Sequence, residues 1–225
     1  PGPLCKLPEG VSNAEGAAMQ PLADSLFSVH EADIQTGDVV VIYGAGVMGS
    51  QAGQGARYMG ASDVYAIDID EDKLAHAEDL GMIPINALEE DPVSRIKDET
   101  DGIGADVVFE AVGGNQDHSA RGDSPLAQSF QMLRVGGTID QIGIHFGDIT
   151  HGMREMRMKA ANIINPMSVK GVVAASPNMD TGEWAAHMVA NDYISIDHLI
   201  THEVEGLESF EEAIDITTNK DEYGA

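Results

Sequence analysis

Between Asp38 and Asp68, an apolar run, a glycine-rich turn, a helix-permissive segment and a second apolar run follow one another in an order that few folds accommodate. Asp38-Val39-Val40-Val41-Ile42-Tyr43 reads as a buried strand. Gly44-Ala45-Gly46-Val47-Met48-Gly49 then matches G-x-G-x-x-G and opens into Ser50 to Met59. A second strand, Val64-Tyr65-Ala66-Ile67, ends at Asp68, nineteen residues past Gly49. Each part has a use in holding a dinucleotide. Gly44 allows the tight turn, Gly46 lets the backbone approach a pyrophosphate, and Gly49 lets the helix pack close to the strand. The unpaired N–H groups of the helix that follows face the phosphates, and Val47 and Met48 of the turn are counted among the cofactor-binding residues. Asp68 is placed to accept hydrogen bonds from the adenosine ribose hydroxyls. The competing reading is a structural glycine turn without a ligand, and the agreement of all the parts in register favours the dinucleotide.

Asp68 also bears on which dinucleotide. A carboxylate there favours a free 2′-hydroxyl and repels a 2′-phosphate. Ile69, Asp70, Glu71 and Asp72 follow it, so no arginine stands by to receive that phosphate. Lys73 is the nearby cation, and two readings stay open for it: a contact to the ribose from the start of the next helix, or a solvated surface lysine. NAD is expected over NADP.

Helical and strand signals alternate after residue 37, which predicts a doubly wound α/β fold with a parallel sheet and crossover helices. Glu71 to Leu80 reads as a helix and Ile83 to Asn86 as a third strand. Asp91 caps a helix to Thr100, with Pro92 at its first position. Ala105 to Glu110 is the fourth strand and Pro125 to Leu133 a helix. Gly136-Gly137 leads into a fifth strand, Thr138 to Ile144. Met153 to Lys159 reads as a helix, and Ile163 to Val173 as the sixth strand. The flanks differ: one helix over Asn13 to His30 precedes the sheet, and helices near Thr181 to Ala190 and Leu207 to Thr218 follow it.

With these elements in place, the chain resembles the medium-chain dehydrogenase/reductase family, and most closely its zinc-dependent alcohol and polyol dehydrogenase branch. The residues that carry the resemblance are Lys6-Leu7-Pro8, Glu15-Gly16-Ala17-Ala18, Pro21-Leu22-Ala23 and Gly37-Asp38. Gly104-Ala105-Asp106-Val107-Val108-Phe109-Glu110-Ala111-Val112-Gly113, Leu133-Arg134-Val135-Gly136-Gly137-Thr138, Ile142-Gly143 and Leu199-Ile200-Thr201-His202 complete the set. The resemblance implies a six-stranded Rossmann coenzyme domain over about residues 21–172, with residues 1–20 and 173–225 as pieces of a truncated catalytic domain. It also implies that Val112 and Gly113, with Ile142, Gly143 and Ile144, hold the nicotinamide at the carboxyl ends of their strands. The activity implied is hydride transfer between an alcohol or polyol and NAD, by a homodimer or homotetramer that pairs along the sixth strand; the lack of a membrane-length apolar run or a signal segment separately gives the expectation of a soluble, cytoplasmic protein.

The family's zinc ligands, a Cys and a Gly-His-Glu motif, are absent from this chain, which therefore reads as a fragment whose catalytic residues lie elsewhere. Gln20 stands where polyol dehydrogenases have Glu. A neutral amide is a poor zinc ligand, so Gln20 is either a partner for metal-bound water or substrate, or a helix-surface amide. Zinc is expected in the full-length protein with no ligand from this chain. His145 and His151 flank a loop near the nicotinamide end and read as surface residues or substrate contacts. His198 and His202 are four apart, but the residues between them read as extended. A zinc-free, quinone-reductase-like member of the family and a non-catalytic NAD-binding module are the alternatives.

Charge excludes other partners. The 225 residues carry 38 acids against 12 Lys plus Arg, a net charge of −26. The acids are spread along the chain, so neither nucleic acid nor an anionic membrane is an expected partner. No apolar run reaches the eighteen or so residues of a membrane span. The single Cys5 rules out an internal disulfide. So acidic a surface resembles that of proteins from salt-in halophiles. At low ionic strength it repels itself, whereas screening contracts to ~3 Å near 1 M salt. Raising KCl from about 0.1 M to about 1 M is therefore expected to raise the thermal midpoint; a flat or falling midpoint in a melting series would show that self-repulsion does not limit stability.

Overall fold

The computed structural model describes residues 5–114, 123–146, 153–166 and 180–223. Its centre is a six-stranded parallel sheet: β1 (Val39–Tyr43), β2 (Asp63–Asp68), β3 (Ile83–Asn86), β4 (Ala105–Glu110), β5 (Leu133–Gln141) and β6 (Asn162–Ile164). The spatial order is β3-β2-β1-β4-β5-β6, which is the doubly wound Rossmann order. Side chains alternate across β1. Val40 and Ile42 enter one core with Ala52, Ala56, Ala77 and Phe109, while Val41 and Tyr43 enter the other with Ile96, Leu126, Phe130 and Ile139. One core is covered by α3 (Val47–Met59) and α4 (Glu71–Asp79), the other by α5 (Pro92–Glu99) and α6 (Pro125–Met132). The chain changes face between β1 and β4, and this opens a crevice at their carboxyl ends.

Local signals explain most element boundaries. Asp70 caps α4 by accepting from the amides of Asp72 and Lys73, and Asp91 caps α5 through Val93 at 3.0 Å with Pro92 next in line. At the opposite end of the sheet, Asp106 accepts from the amide of Val39 at 2.8 Å and pairs with Arg134, which joins the starts of β1, β4 and β5.

Three expectations need correction. Helix α3 begins at Val47 rather than Ser50, because Gly46 already takes the capping position. The fifth strand starts at Leu133 and stops at Gln141, so Ile142 to Ile144 lie beyond it. Gly136-Gly137, expected to lead into that strand, lie inside it, where the shift in register between Ala105 and Val107 absorbs the pair. The first helical stretch is two helices, α1 (Asn13–Ala17), closed by a Ser12–Glu15 capping box, and α2 (Met19–Glu31), separated at Ala18. Of the sixth strand, the part beyond residue 166 lies outside the described residues.

A third cluster joins the flanks. Met19, Leu22 and Leu26 of α2 pack on Trp184, Met188 and Val189 of α8 (Thr181–Ala190), with Ile194 and Ile196 beside them. Gln54 of α3 clasps the backbone of Ser195 through two bonds of 2.9 Å. Ser209 leads into α9 (Phe210–Thr218), which shows Phe210 and Ile214 to solvent.

One buried acid faces α2 from the sheet. Both carboxyl oxygens of Asp140 on β5 are enclosed without a hydrogen bond of good geometry. Burial pushes its pKa up to about 8, with the Ser28 hydroxyl opposing the rise and the Glu31 charge adding to it. The folded form therefore holds this proton up to about pH 8, whereas the unfolded chain loses it near pH ~4. Folding takes up a proton between those limits, so stability falls as pH rises through that window. Asp140→Asn should remove the penalty: its thermal midpoint is expected to exceed that of the unsubstituted chain at pH 8 and to converge on it near pH ~4. A difference independent of pH would refute the buried proton.

Candidate functional site

At the switch point of the sheet lies a cleft of ≈ 370 Å³, lined by Tyr43, Gly44, Gly46, Ile67, Asp68, Ile69, Lys73, Ala87, Ala111, Val112 and Pro125. Its floor is the glycine turn. Gly44 has φ 102°, and its amide donates to the carbonyl of Ile67 at 2.8 Å, joining the ends of β1 and β2. A Cβ at Gly44 would stand 2.9 Å from the backbone of Ala111 and Val112, so the turn also touches the end of β4. A Cβ at Gly49 would overlap the Gly44 carbonyl oxygen, which is why α3 can run so close beneath the turn. Gly46 differs from both: a Cβ there would meet nothing within 4 Å. Packing does not demand a glycine at Gly46, but an approaching ligand would.

Val47 is exposed at the first turn of α3, and the Met48 carbonyl accepts from the hydroxyl of Ser25 on α2 at 3.2 Å. Helix α3 has thirteen residues and therefore a full complement of aligned amides behind this end. Asp68 lies across from it. One oxygen accepts from the amide of Ala45 at 2.8 Å, and the other from Ile69 at 2.8 Å and Asp70 at 3.1 Å. A carboxylate has about four acceptor positions, so capacity remains for hydroxyl donors from the cleft. Lys73 is the only cation among the described residues lining the cleft, and it stands 3.5 Å from Asp70.

The nicotinamide-side candidates come together at the far rim. Val112 and Ile144 are exposed, Gly113 is buried with φ 62°, and Ile142 packs against the sheet core. Gly113 and Gly143 lie back to back: a Cβ on Gly143 would sit 2.7 Å from the Gly113 nitrogen. The amide of Gly143 donates to the Glu110 carbonyl at 2.8 Å, and that of Gly114 to the Ile144 carbonyl at 2.8 Å.

Sequence reasoning missed two residues here and misread a third. Tyr43 lines the cleft and donates to Gln128 at 2.9 Å; burial, followed by the charges of Glu110, Asp91 and Asp68, pushes its phenol upward and keeps it neutral. Its place directly before Gly44 was the available signal. Glu110 is fully buried at the end of β4, an acid closing an apolar strand in the manner of Asp68. His145, expected at the surface or on substrate, instead turns Nε2 onto Glu110. His151 lies outside the described residues. His198 sits in a single 3-10 turn, Asp197–Leu199, with its ring 5.9 Å from that of His76, and His202 contacts the hydroxyl of its neighbour Thr201. Gln20 is exposed on α2 and donates to Asp24. Among the described residues no three His, Cys, Asp or Glu side chains could hold a metal, so they do not by themselves fit a zinc centre.

This fold and crevice define a dinucleotide-binding type of α/β protein, and comparison with known proteins narrows the class. A family model described as zinc-binding dehydrogenase matches residues 47–191. The chain belongs to the zinc-binding dehydrogenase family. Sorbitol dehydrogenase 1 of Saccharomyces cerevisiae is 30% identical over 208 residues, which span 88% of this chain and 53% of that protein. The alcohol dehydrogenase TADH of a Thermus species superposes with TM-score 0.77 at 25% identity, covering 96% of this chain and 59% of that one. A Sinorhizobium meliloti protein, described as a zinc-binding dehydrogenase and solved with NADP, superposes with TM-score 0.70 at 25% identity over 86% of this chain and 53% of its own. The chain spans about half the length of the curated relatives it matches.

The contact between Gly49 and Gly44 generates a test of the turn. Gly49→Ala forces the helix off the turn and is expected to cost about 2 kcal/mol, read as a lower midpoint in thermal melts. An unchanged midpoint would mean that α3 can shift without loss.

Proposed function

We propose that this chain is the coenzyme-binding portion of an NAD-dependent alcohol or polyol dehydrogenase. The observation that carries the reading is the cleft in which the open backbone of Gly46, the N-terminus of α3 and the carboxylate of Asp68 face a common space. In this reading residues 21–172 form the coenzyme domain, and the segments on either side belong to the catalytic domain. The sorbitol and alcohol dehydrogenases among its relatives support an alcohol or polyol as substrate.

The chain's own residues have separable tasks. Gly44 and Gly46 open the backbone to the pyrophosphate, while Val47, Met48 and Gly49 present the helix amides that offset its charge. Asp68 accepts from the adenosine ribose, with Lys73 at its flank. Val112 and Ile144 offer apolar surface to one side of the nicotinamide, and Gly113, Ile142 and Gly143 bring the two strand ends close enough to form that surface. What the coenzyme supplies when bound is hydride transfer to or from carbon. Zinc, which the family's description implies, would be held by residues beyond those described. Assembly as a homodimer or homotetramer and a cytoplasmic location belong to the same reading. No helix among the described residues is long and apolar enough to cross a membrane.

One relative binds NADP, so cofactor preference is the sharper question. Asp68 supports NAD, because its charge would stand against a 2′-phosphate with Asp70 close by and, among the described residues lining the cleft, only Lys73 in opposition. Calorimetric titration in about 1 M KCl should show NADH binding more tightly than NADPH. Asp68→Asn keeps an acceptor for Ala45 while removing the charge, and should weaken NADH about tenfold and narrow the gap to NADPH. Unchanged selectivity would sink the assignment of Asp68, and absence of any binding by the folded chain would sink the coenzyme reading.

A further inference from the structure

Glu110 is wholly buried at the carboxyl end of β4, yet nothing in the coenzyme reading uses it. Its side chain folds back over the strand end. Oε1 accepts from the amides of Val112 and Gly113, each at 3.2 Å, and Oε2 pairs with Nε2 of His145. The His145 side chain keeps 14% of its exposure and the Glu110 side chain none, so the pair is shielded from water. A carboxylate taken out of water is costly unless its lone pairs are met, and here two amides and an imidazole meet them.

The two segments joined by this pair are those that carry Val112 and Ile144. Backbone bonds already hold them side by side: Gly143 donates to the Glu110 carbonyl, Gly114 to that of Ile144, and Phe146 to that of Gly114 at 3.0 Å. Those bonds fix the pairing of the two segments but not how far each leans over the cleft. Glu110 reaches both at once, holding the amides of Val112 and Gly113 with one oxygen and the residue after Ile144 with the other.

We infer that Glu110 and His145 are positioning residues, a buried pair that sets the Val112 and Ile144 surfaces against the nicotinamide half of the coenzyme. The inference rests on the coenzyme reading above. It assigns the pair no contact with the adenosine half, which is held at the opposite side of the cleft by the glycine turn and Asp68. Without His145, Glu110 would lose the partner that ties its Oε2 to the segment after β5 while its Oε1 stayed on the strand-end amides. The segment after β4 would then move or admit water, and the apolar rim would lose its setting while the turn after β1 stayed in place.

The test compares ADP-ribose, which lacks the nicotinamide, with NADH on the full chain by calorimetry in about 1 M KCl. ADP-ribose binding by the unsubstituted chain tests the coenzyme reading alone; if it is absent from folded protein, that reading falls and the inference falls with it. Given that binding, His145→Ala is expected to weaken NADH about tenfold and to leave ADP-ribose unchanged. His145→Gln, which keeps an N–H for Glu110, should recover most of the loss. Equal weakening of both ligands would reduce the pair to a general structural contact, and an unaltered NADH affinity would remove its role altogether; either result overturns the inference. Should His145→Ala fail to fold by circular dichroism, Glu110→Gln carries the same comparison. It keeps an acceptor for the two amides while losing the charge, and the ratio of NADH to ADP-ribose affinity decides in the same way.

Discussion

The carboxylate of Asp68 reaches from the end of β2 to the amide of Ala45 in the turn after β1, and the form of the cleft depends on that bond. It joins two strand ends already coupled through the Gly44 amide and the Ile67 carbonyl. Because Gly49 has no side chain, α3 can begin directly beneath this braced turn, and its capping residue Gly46 lines the crevice. Were the turn free to relax, the helix N-terminus would lose its aim and the crevice between β1 and β4 would lose its floor. Asp68 is thus a structural brace and the proposed ribose acceptor at once. A carboxylate with four acceptor positions can do both.

Glu110 repeats the arrangement one strand over. Each acid ends an apolar strand, and each turns one oxygen back onto the amides of the residues that follow: Ile69 and Asp70 for Asp68, Val112 and Gly113 for Glu110. Each spends the other oxygen on a neighbouring segment, the glycine turn in one case and His145 in the other. The carboxyl ends of the sheet are therefore shaped by two acids that tie adjacent loops together. The difference is exposure. Asp68 stays open to the cleft and keeps capacity for a ligand, whereas Glu110 is sealed beneath the rim.

Much of the fold was legible before any coordinates, because its signals are local. The limits of β3, β4 and α7 (Met153–Lys159) follow directly from apolar runs and their flanks, and Asp91 with Pro92 announced the start of α5. The errors fall where a neighbour decided. Gly136 and Gly137 were expected ahead of the fifth strand, but β5 pairs with β4 through a shifted register that carries both glycines inside it. A helix expected over Asn13 to His30 divides at Ala18, beside Gly16, whose missing side chain leaves room for Leu7. In the candidate site, the places of the glycine turn after β1 and of Asp68 at the end of β2 were legible from the order of apolar runs and their spacing. The pairing of His145 with Glu110 was not, since thirty-five residues separate them.

The sequence by itself determined that this chain builds a parallel α/β sheet with a glycine turn between its first strand and helix. Strand propensity, helix caps and glycine backbone freedom act over a few residues and leave their mark in order along the chain. It also determined the strongly acidic surface, which is a matter of counting. Tertiary structure alone decided which loops meet at the carboxyl ends of β1, β4 and β5, that Gly46 faces open space while Gly49 faces a carbonyl, and that Asp140 is enclosed against α2. Those are outcomes of packing between segments far apart in sequence. Whether a polar group is satisfied or stranded depends on neighbours that only the folded chain supplies.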